Sequence, residues 1–319
     1  MRMLVDGDGE SGSMAKKILV LGSFVADSAF RAARLPGWGE TLMGSAFALG
    51  PGGKGSNQAV AAARAGATVQ MLSRLGDDAF GRLARDTWEA NGIDDSLVEN
   101  CETATGSAVI LIDEATGENA IVVVPGACFT LRPKDVEAAA AAIQSAGVLL
   151  TQLELPLDTV HCGLRLAREA GVRTILNPAP AQSLSDEILG LVDFLIPNET
   201  EAALLTGMPV ESVTQADAAA KELIRRGAIC VIVTMGAKGA LVCVQGEAAE
   251  LVGAFQAGTV LDTTGAGDGF CGGFAAALSE GRSVIEAARC GCATAGISVT
   301  RAGTAPSMPW RDEILALMG

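Results

Sequence analysis

The stretch Asp262-Thr-Thr-Gly-Ala-Gly-Asp268 runs straight into an apolar, alanine-rich segment, residues 269–278. Glycines let a turn come close to a ligand, a carboxylate closes the turn, and the run behind it has helical character. A helix that begins near Asp268 leaves the N–H groups of Gly265, Ala266 and Gly267 at its unsatisfied N-terminus, where a transferring phosphoryl group is held. Asp268 then stands ready to take a proton from an attacking hydroxyl. Read in isolation, the same motif is also a glycine turn with Asp268 as helix N-cap.

A second polar loop, Gly50-Pro-Gly-Gly-Lys54-Gly-Ser-Asn57, opens a helix over 58–65. Neither a P-loop nor a dinucleotide fingerprint fits it. Its glycines let backbone approach a small polar ligand, and Lys54 and Asn57 supply donors. Asp27 lies just past the buried-strand pattern at 18–22. Glu154, Asn177, the cluster Asn198-Glu-Thr-Glu201 and the turn from Thr234 to Gly239 also follow predicted strands. Ligands of open α/β sheets bind beyond such strand ends.

The elements that must position these groups alternate regularly. Strands are predicted at 68–73, 148–152, 174–177, 194–197, 230–235 and 240–245. Helices are predicted at 78–91, 133–145, 157–170, 198–205, 215–226, 284–300 and 310–318. This is the pattern of a parallel sheet covered on both faces. The β-rich runs 107–112 and 119–124 flank a five-residue turn and predict a hairpin foreign to that alternation. Together with residues 28–50 they form a small accessory sheet, a lid over a ligand cleft.

The chain has 319 residues, 49% of them hydrophobic, enough for one large α/β domain or a main domain with a small insertion. A net charge of −14 argues against a nucleic-acid partner, so any phosphate must be met locally. The eight cysteines form no C-x-x-C pair and read as reduced, mostly buried thiols of a cytoplasmic protein. Cys290 and Cys292 face different sides of a predicted helix. The single histidine, His161, reads as a helix-surface residue, so the chemistry has to proceed without histidine. Residues 1–15 read as a flexible polar extension without a signal-peptide core, and Met14 as a candidate start. No apolar run reaches membrane-spanning length.

Taken together, Gly52-Gly-Lys-Gly-Ser-Asn-Gln58 and Asp262 to Asp268 resemble the PfkB family of carbohydrate and nucleoside kinases, and within it the ribokinase branch. Gln152-Leu-Glu154, Asn177-Pro-Ala-Pro180, Pro197-Asn-Glu-Thr-Glu201 and Pro306-Ser-Met-Pro-Trp-Arg311 follow in the same order. The resemblance spans about Lys16 to the C-terminus. It implies a doubly wound α/β domain, a β-lid over about 28–50 and 105–125 that pairs with a second subunit, and transfer of the γ-phosphoryl group of ATP to a pentose's terminal hydroxyl.

By position, the resemblance makes Asp268 the general base and Gly265, Ala266 and Gly267 the anion hole. Asp27, Gly53, Lys54, Asn57 and Glu154 fall to the sugar. Asn198 and the run Thr234, Met235, Gly236, Ala237, Lys238 and Gly239 fall to the nucleotide, with Cys292 near its base and Glu201 linked to Mg²⁺. A K⁺ ion would be ringed by Asp262, Thr264, Ser298, Arg301, Gly303 and Ser307. One departure stands out: Val25 occupies a position where ribokinases commonly carry asparagine. The resemblance as a whole implies D-ribose as acceptor; valine offers no hydrogen bond, and this departure makes a pentose lacking or repositioning that hydroxyl, 2-deoxyribose first, the alternative.

Nucleoside, fructose and sugar-phosphate kinases stay open within the class; the last is weakened by the few basic residues, Arg31 and Arg34, in the lid. A non-catalytic sugar- or nucleotide-binding regulator on the same fold is the reading from another class. An NAD-dependent oxidoreductase is disfavoured by the failed fingerprint.

Overall fold

The computed structural model describes residues 16–319; the N-terminal extension and Met14 lie outside the described residues. The chain opens with β1 (Ile18–Leu21), β2 (Val25–Ala32) and β3 (Ala46–Gly52), followed by α1 (Lys54–Arg64). Next come β4 (Val69–Gly76), α2 (Ala79–Ala90), β5 (Asp94–Cys101), β6 (Thr105–Asp113) and β7 (Asn119–Gly126). The middle holds α3 (Pro133–Ala138), α4 (Ala140–Ser145), β8 (Val148–Thr151), α5 (Leu157–Glu169), β9 (Arg173–Leu176) and α6 (Asp186–Leu189). There follow β10 (Phe194–Leu195), α7 (Glu199–Thr206), α8 (Val213–Arg225), β11 (Cys230–Thr234), β12 (Ala240–Val244) and β13 (Glu250–Val252). Three helices close the chain: α9 (Ala266–Ser279), α10 (Val284–Ser298) and α11 (Arg311–Met318).

Nine strands form the main sheet in the order β13-β12-β11-β10-β9-β8-β1-β4-β5. All neighbours pair in parallel except at one edge, where β12 runs antiparallel to β11 and β13 to β12. Alternate side chains of β1 feed the two faces: Ile18 and Val20 enter one apolar cluster, Leu19 and Leu21 the other. A strand buried on both faces needs the continuous apolar run seen in the sequence.

The accessory sheet has four strands in the order β3-β2-β6-β7. The expected hairpin is there, β6 against β7. The stretch 28–50 resolves into β2 and β3, and β2 begins earlier than expected, at Val25. β2 and β6 pair in parallel, a contact between segments distant in sequence.

Two further differences from the sequence-based expectations are local. The sequence pattern does not signal β5: only Val98 of its residues is buried, so its composition carries no strand alternation, and it is held as an edge by β4. The helix expected over 133–145 is divided at Ala139 into α3 and α4. No helix among the described residues is long and apolar enough to cross a membrane. All eight cysteines are unpaired, and all but Cys101 and Cys290 are buried.

Candidate active site

α9 begins at Ala266, with Gly265 as N-cap in the left-handed region at φ 78° and no side-chain cap. A glycine is required there because L-residues with a Cβ avoid that region. Asp268 is therefore the third helical residue and not the N-cap, and its side chain is free to face the cleft while remaining only 5% exposed. Ala266 N–H donates to Thr263 O at 3.2 Å, so this expected anion-hole group is turned into the loop. Among the described residues, the N–H groups of Gly265, Gly267 and Asp268 have no protein acceptor.

What brings Asp268 to its neighbours is the crossing of α9 over α1. A Cβ on Gly272 would lie 2.4 Å from the Ala61 side chain and 2.7 Å from Gln58 O, so only glycine allows this approach. As a result Asn57 Nδ2 donates to Asp268 Oδ2 at 3.0 Å and Gln58 Nε2 to Asp268 Oδ1 at 2.9 Å. Asn57 Oδ1 is buried with no partner among the described residues.

α1 starts at Lys54, four residues before the helix expected from sequence, on an N-cap Gly53 with φ 82°. Glu154, beyond the end of β8, closes that helix end: its Oε2 accepts Lys54 N–H at 2.9 Å and Ser23 Oγ–H at 2.5 Å. The charge of Asp268, above all, raises the Lys54 ammonium pKa against the opposing effect of burial; Glu154 and Glu201 add to it. On β2, Val25 and Asp27 share a face, and the Asp27 carboxylate packs over Gly52, where an added Cβ would meet it at 2.2 Å. Burial, then the charges of Glu154 and Asp268, push the Asp27 carboxyl up to about 6.

On the other side of Asp268, Asn198 caps α7 in a capping box: its Oδ1 accepts Glu201 N–H at 2.8 Å, and Glu201 Oε2 accepts Asn198 N–H at 2.9 Å. Burial raises the Glu201 carboxyl, opposed by the Asn198 bond and Lys54. Asn198 bridges Thr234 at the carboxyl edge of β10 and β11. A cavity of about 150 Å³ joins Lys54, Asn198, Glu201, Thr234, the 265–267 turn and Asp268. Of the strand-end residues singled out in the sequence, Asn177, Asn198, Glu201 and Thr234 line this cavity, and Asp27 and Glu154 lie outside its lining.

The pfkB family carbohydrate kinase profile matches residues 15–311. The chain belongs to this family of carbohydrate kinases. It is 42% identical to ribokinase of Haemophilus influenzae over 307 residues, 96% of this chain and 99% of that protein. It is 39% identical to deoxyribokinase of Salmonella typhi over 294 residues, 92% of this chain and 95% of that one. Among solved structures, Arabidopsis thaliana ribokinase complexed with ribose and ATP superposes with a TM-score of 0.90 at 35% identity, covering 96% of this chain and 99% of that chain.

Within this carbohydrate-kinase frame, Asp262, Thr264 and Gly303, three of the six residues expected around K⁺, are joined by hydrogen bonds at the loop before α9. Asp262 Oδ1 accepts Thr264 N–H at 2.9 Å and Oδ2 accepts Gly303 N–H at 3.0 Å. Burial pushes its carboxyl up, but the Thr264 hydroxyl together with these two N–H groups holds it below the usual range. Ser298 and Ser307 are buried, their hydroxyls donating to Ala295 O and Thr304 O. The Arg301 side chain turns away to Glu313.

Other expectations are met less fully. Of the run from Thr234 to Gly239 only Thr234 lines the cavity; Met235 is buried and its N–H donates to Gly239 O at 2.8 Å. Lys238 Nζ lies 3.7 Å from Glu199. Cys292 is buried with Sγ 3.9 Å from Val252 O, off that cavity, and burial pushes its thiol up to about 12. His161 is a helix-surface residue, 3.3 Å from Glu187. Ala179, Ile196, Thr263 and Cys271 also line the cavity, although the sequence reading gave none of them a role. Cys271 was legible, one turn beyond Asp268 on the same helix face.

Proposed function

We propose that this chain transfers the γ-phosphoryl group of ATP to the 5-hydroxyl of D-ribose. The observation that carries the reading is Asp268, a buried carboxylate at an uncapped helix N-terminus, facing one cleft with Lys54 and Asn57 on one side and Asn198, Glu201 and Thr234 on the other. The sugar hydroxyl oxygen forms a bond to the γ-phosphorus as the bond from that phosphorus to the β–γ bridging oxygen breaks. Asp268 takes the hydroxyl proton, and ADP carries the electron pair away. The free N–H groups of Gly265 and Gly267 stabilise the charge on the transferring group. Asp27, Lys54, Asn57 and Glu154, beside Gly53, orient the sugar.

No cluster of three or more His, Cys, Asp or Glu that could hold a metal exists among the described residues. Mg²⁺ bound through phosphates needs only one or two carboxylates, and buried Glu201 fits that demand; when bound it neutralises phosphate charge. K⁺ would sit at the loop shaped by Asp262, adding positive charge next to the anion hole. A homodimer through the lid belongs to the same proposal. Phe30, Phe47 and Leu49 are exposed on one lid face, and β7 exposes Ile121, Val122, Val123 and Val124. So does cytoplasmic residence, which the unpaired cysteines support.

A second reading, 2-deoxyribose as acceptor, is favoured by Val25, which is buried beside Gly52 and Gly53 on the Asp27 face. A hydroxyl facing it would lose a hydrogen bond, costing about 1–3 kcal/mol. ADP release with Mg-ATP and K⁺, comparing ribose and 2-deoxyribose, tests both readings. Ribose-led turnover is the expected result; a deoxyribose preference supports the second reading, and no turnover on either sugar overturns both. Val25→Asn is expected to raise kcat/KM for ribose relative to deoxyribose.

A further inference from the structure

We propose that Gln58 is a positioning residue for the base, aimed at Asp268 by a chain of buried amides that ends at Gln152. The inference rests on Asp268 being the base. Gln58 is fully buried, and its Nε2 donates to both Asp268 Oδ1 at 2.9 Å and Asn177 Oδ1 at 3.1 Å. Its Oε1 accepts from Gln152 Nε2 at 2.6 Å. Asn177 in turn donates its Nδ2 to Ile196 O at 2.9 Å.

These contacts fix the polarity of every amide in the chain. A backbone carbonyl can only accept, so Ile196 O forces the Asn177 amide nitrogen toward itself and the Asn177 oxygen toward Gln58. Gln58 must then present nitrogen to Asn177 and Asp268, and oxygen to Gln152. Inverting Gln58 would set its oxygen against a carboxylate and against Asn177 Oδ1, and would leave Gln152 Nε2 facing a second nitrogen. The two hydrogens of one amide nitrogen therefore serve two acceptors, and Asp268 Oδ1 is held in one direction.

Gln152 makes no hydrogen bond to Asp268. Its Oε1 is buried without a partner, packed where a Cβ on Gly22 would come within 2.6 Å of it. A fold gains nothing from that orphan oxygen, since an unsatisfied buried acceptor is a cost. Retaining it makes sense for the orientation that the other half of the amide imposes on Gln58. Asn57 holds the opposite oxygen of Asp268 but also faces the sugar, so it cannot aim the base independently of substrate.

The test compares Gln58→Met, Gln152→Met and the double variant, with sugar and Mg-ATP saturated separately. Gln58→Met is expected to lower kcat ~10- to 100-fold with the sugar KM changed less than about threefold, as misaiming a reacting group does. Gln152→Met is expected to lower kcat by a smaller factor with little change in Tm, because it removes one orphan oxygen and leaves another, Gln58 Oε1, without its donor. The double variant is expected to match Gln58→Met alone, since Gln152 acts only through Gln58. Turnover within about twofold of the parent in Gln58→Met, or independent effects that multiply in the double variant, would overturn the proposal. Should Gln58→Met not fold, wild-type kcat in Gln152→Met overturns it as well. Asp268→Asn separates the two levels: if it still turns over, the base assignment fails, whereas an inert Asp268→Asn beside a normal Gln58→Met fails the positioning role only.

Discussion

Two helices of this kinase start on a glycine in the left-handed region, and their ends are finished in opposite ways. At the start of α1, Lys54 N–H goes to Glu154 and Ser56 N–H to Ser23 O, and Gly55 N–H lies 3.4 Å from Ser23 Oγ. At the start of α9, Gly267 and Asp268 N–H have no described protein acceptor. Both ends carry the same partial positive charge. In α1 the protein's own carboxylate answers it, which ties Glu154 to the Lys54 backbone. In α9 no described group of the protein answers it, and the proposed mechanism gives that charge to the transferring phosphoryl group.

The largest effect that can break this contrast is loss of the group at the open end. Asp268→Asn is expected to lower kcat ~10²- to 10⁴-fold with a smaller change in KM, measured as sugar-dependent ADP release. Near-parental turnover in that variant would remove Asp268 from the base role and leave α9 as an ordinary helix end.

Matched alanines sharpen the contrast at intermediate size. A Cβ on Gly55 would lie 2.4 Å from Ser23 N and 2.6 Å from Gly22 C, both backbone atoms. Gly55→Ala is therefore expected to destabilise by about 1–3 kcal/mol, read by thermal or denaturant unfolding. A Cβ on Gly267 meets nothing within 4 Å. Gly267→Ala is expected to keep or slightly raise Tm while kcat/KM for ATP falls ~10-fold, as the methyl crowds the approach of the phosphoryl group. Equal stability losses in the two variants would mean that both ends are packed alike.

The smallest effect is at the proposed sugar side of the site, through Asp27. Its carboxyl in the native state is raised from 3.8 to about 6, so the protonated form favours the fold. That contribution is complete below the unfolded value of 3.8 and is lost as pH rises through about 6. The proposed sugar contact of Asp27 runs the other way, because an ionised carboxylate accepts hydroxyl donors. The sugar KM is expected to rise a few-fold as pH falls through about 6, and to lose that dependence in Asp27→Asn; a flat KM in the parent would place Asp27 away from the sugar.

Much of the site is legible in the amino-acid sequence. The glycine turn ending in Asp268, the Lys54–Asn57 loop and the strand-end residues Glu154 and Asn198 declare themselves because glycine spacing and strand ends are local properties. The regular alternation of apolar strands and amphipathic helices likewise specifies a parallel sheet with covered faces. Harder to read are elements whose stability comes from a neighbour. β5 is polar enough to look like a loop until β4 pairs with it, and the parallel contact of β2 with β6 joins segments that share no local signal.

The sequence by itself determined the parallel body of the sheet, the lid hairpin, the glycine turn that ends in Asp268 and the loops that surround it, since each is encoded by spacing within a few residues. Only the tertiary structure decided that Gln58 reaches Asp268 from 210 positions away and that Glu154 closes the end of α1 from 100 positions away. It also decided that α9 begins before Asp268, leaving the carboxylate out of the cap. The physical reason is common to all three: hydrogen-bond partners of buried polar groups are chosen by how closely helices and strand ends pack. The crossing at Gly272 that sets this distance is a single residue whose meaning appears only when α1 lies against it.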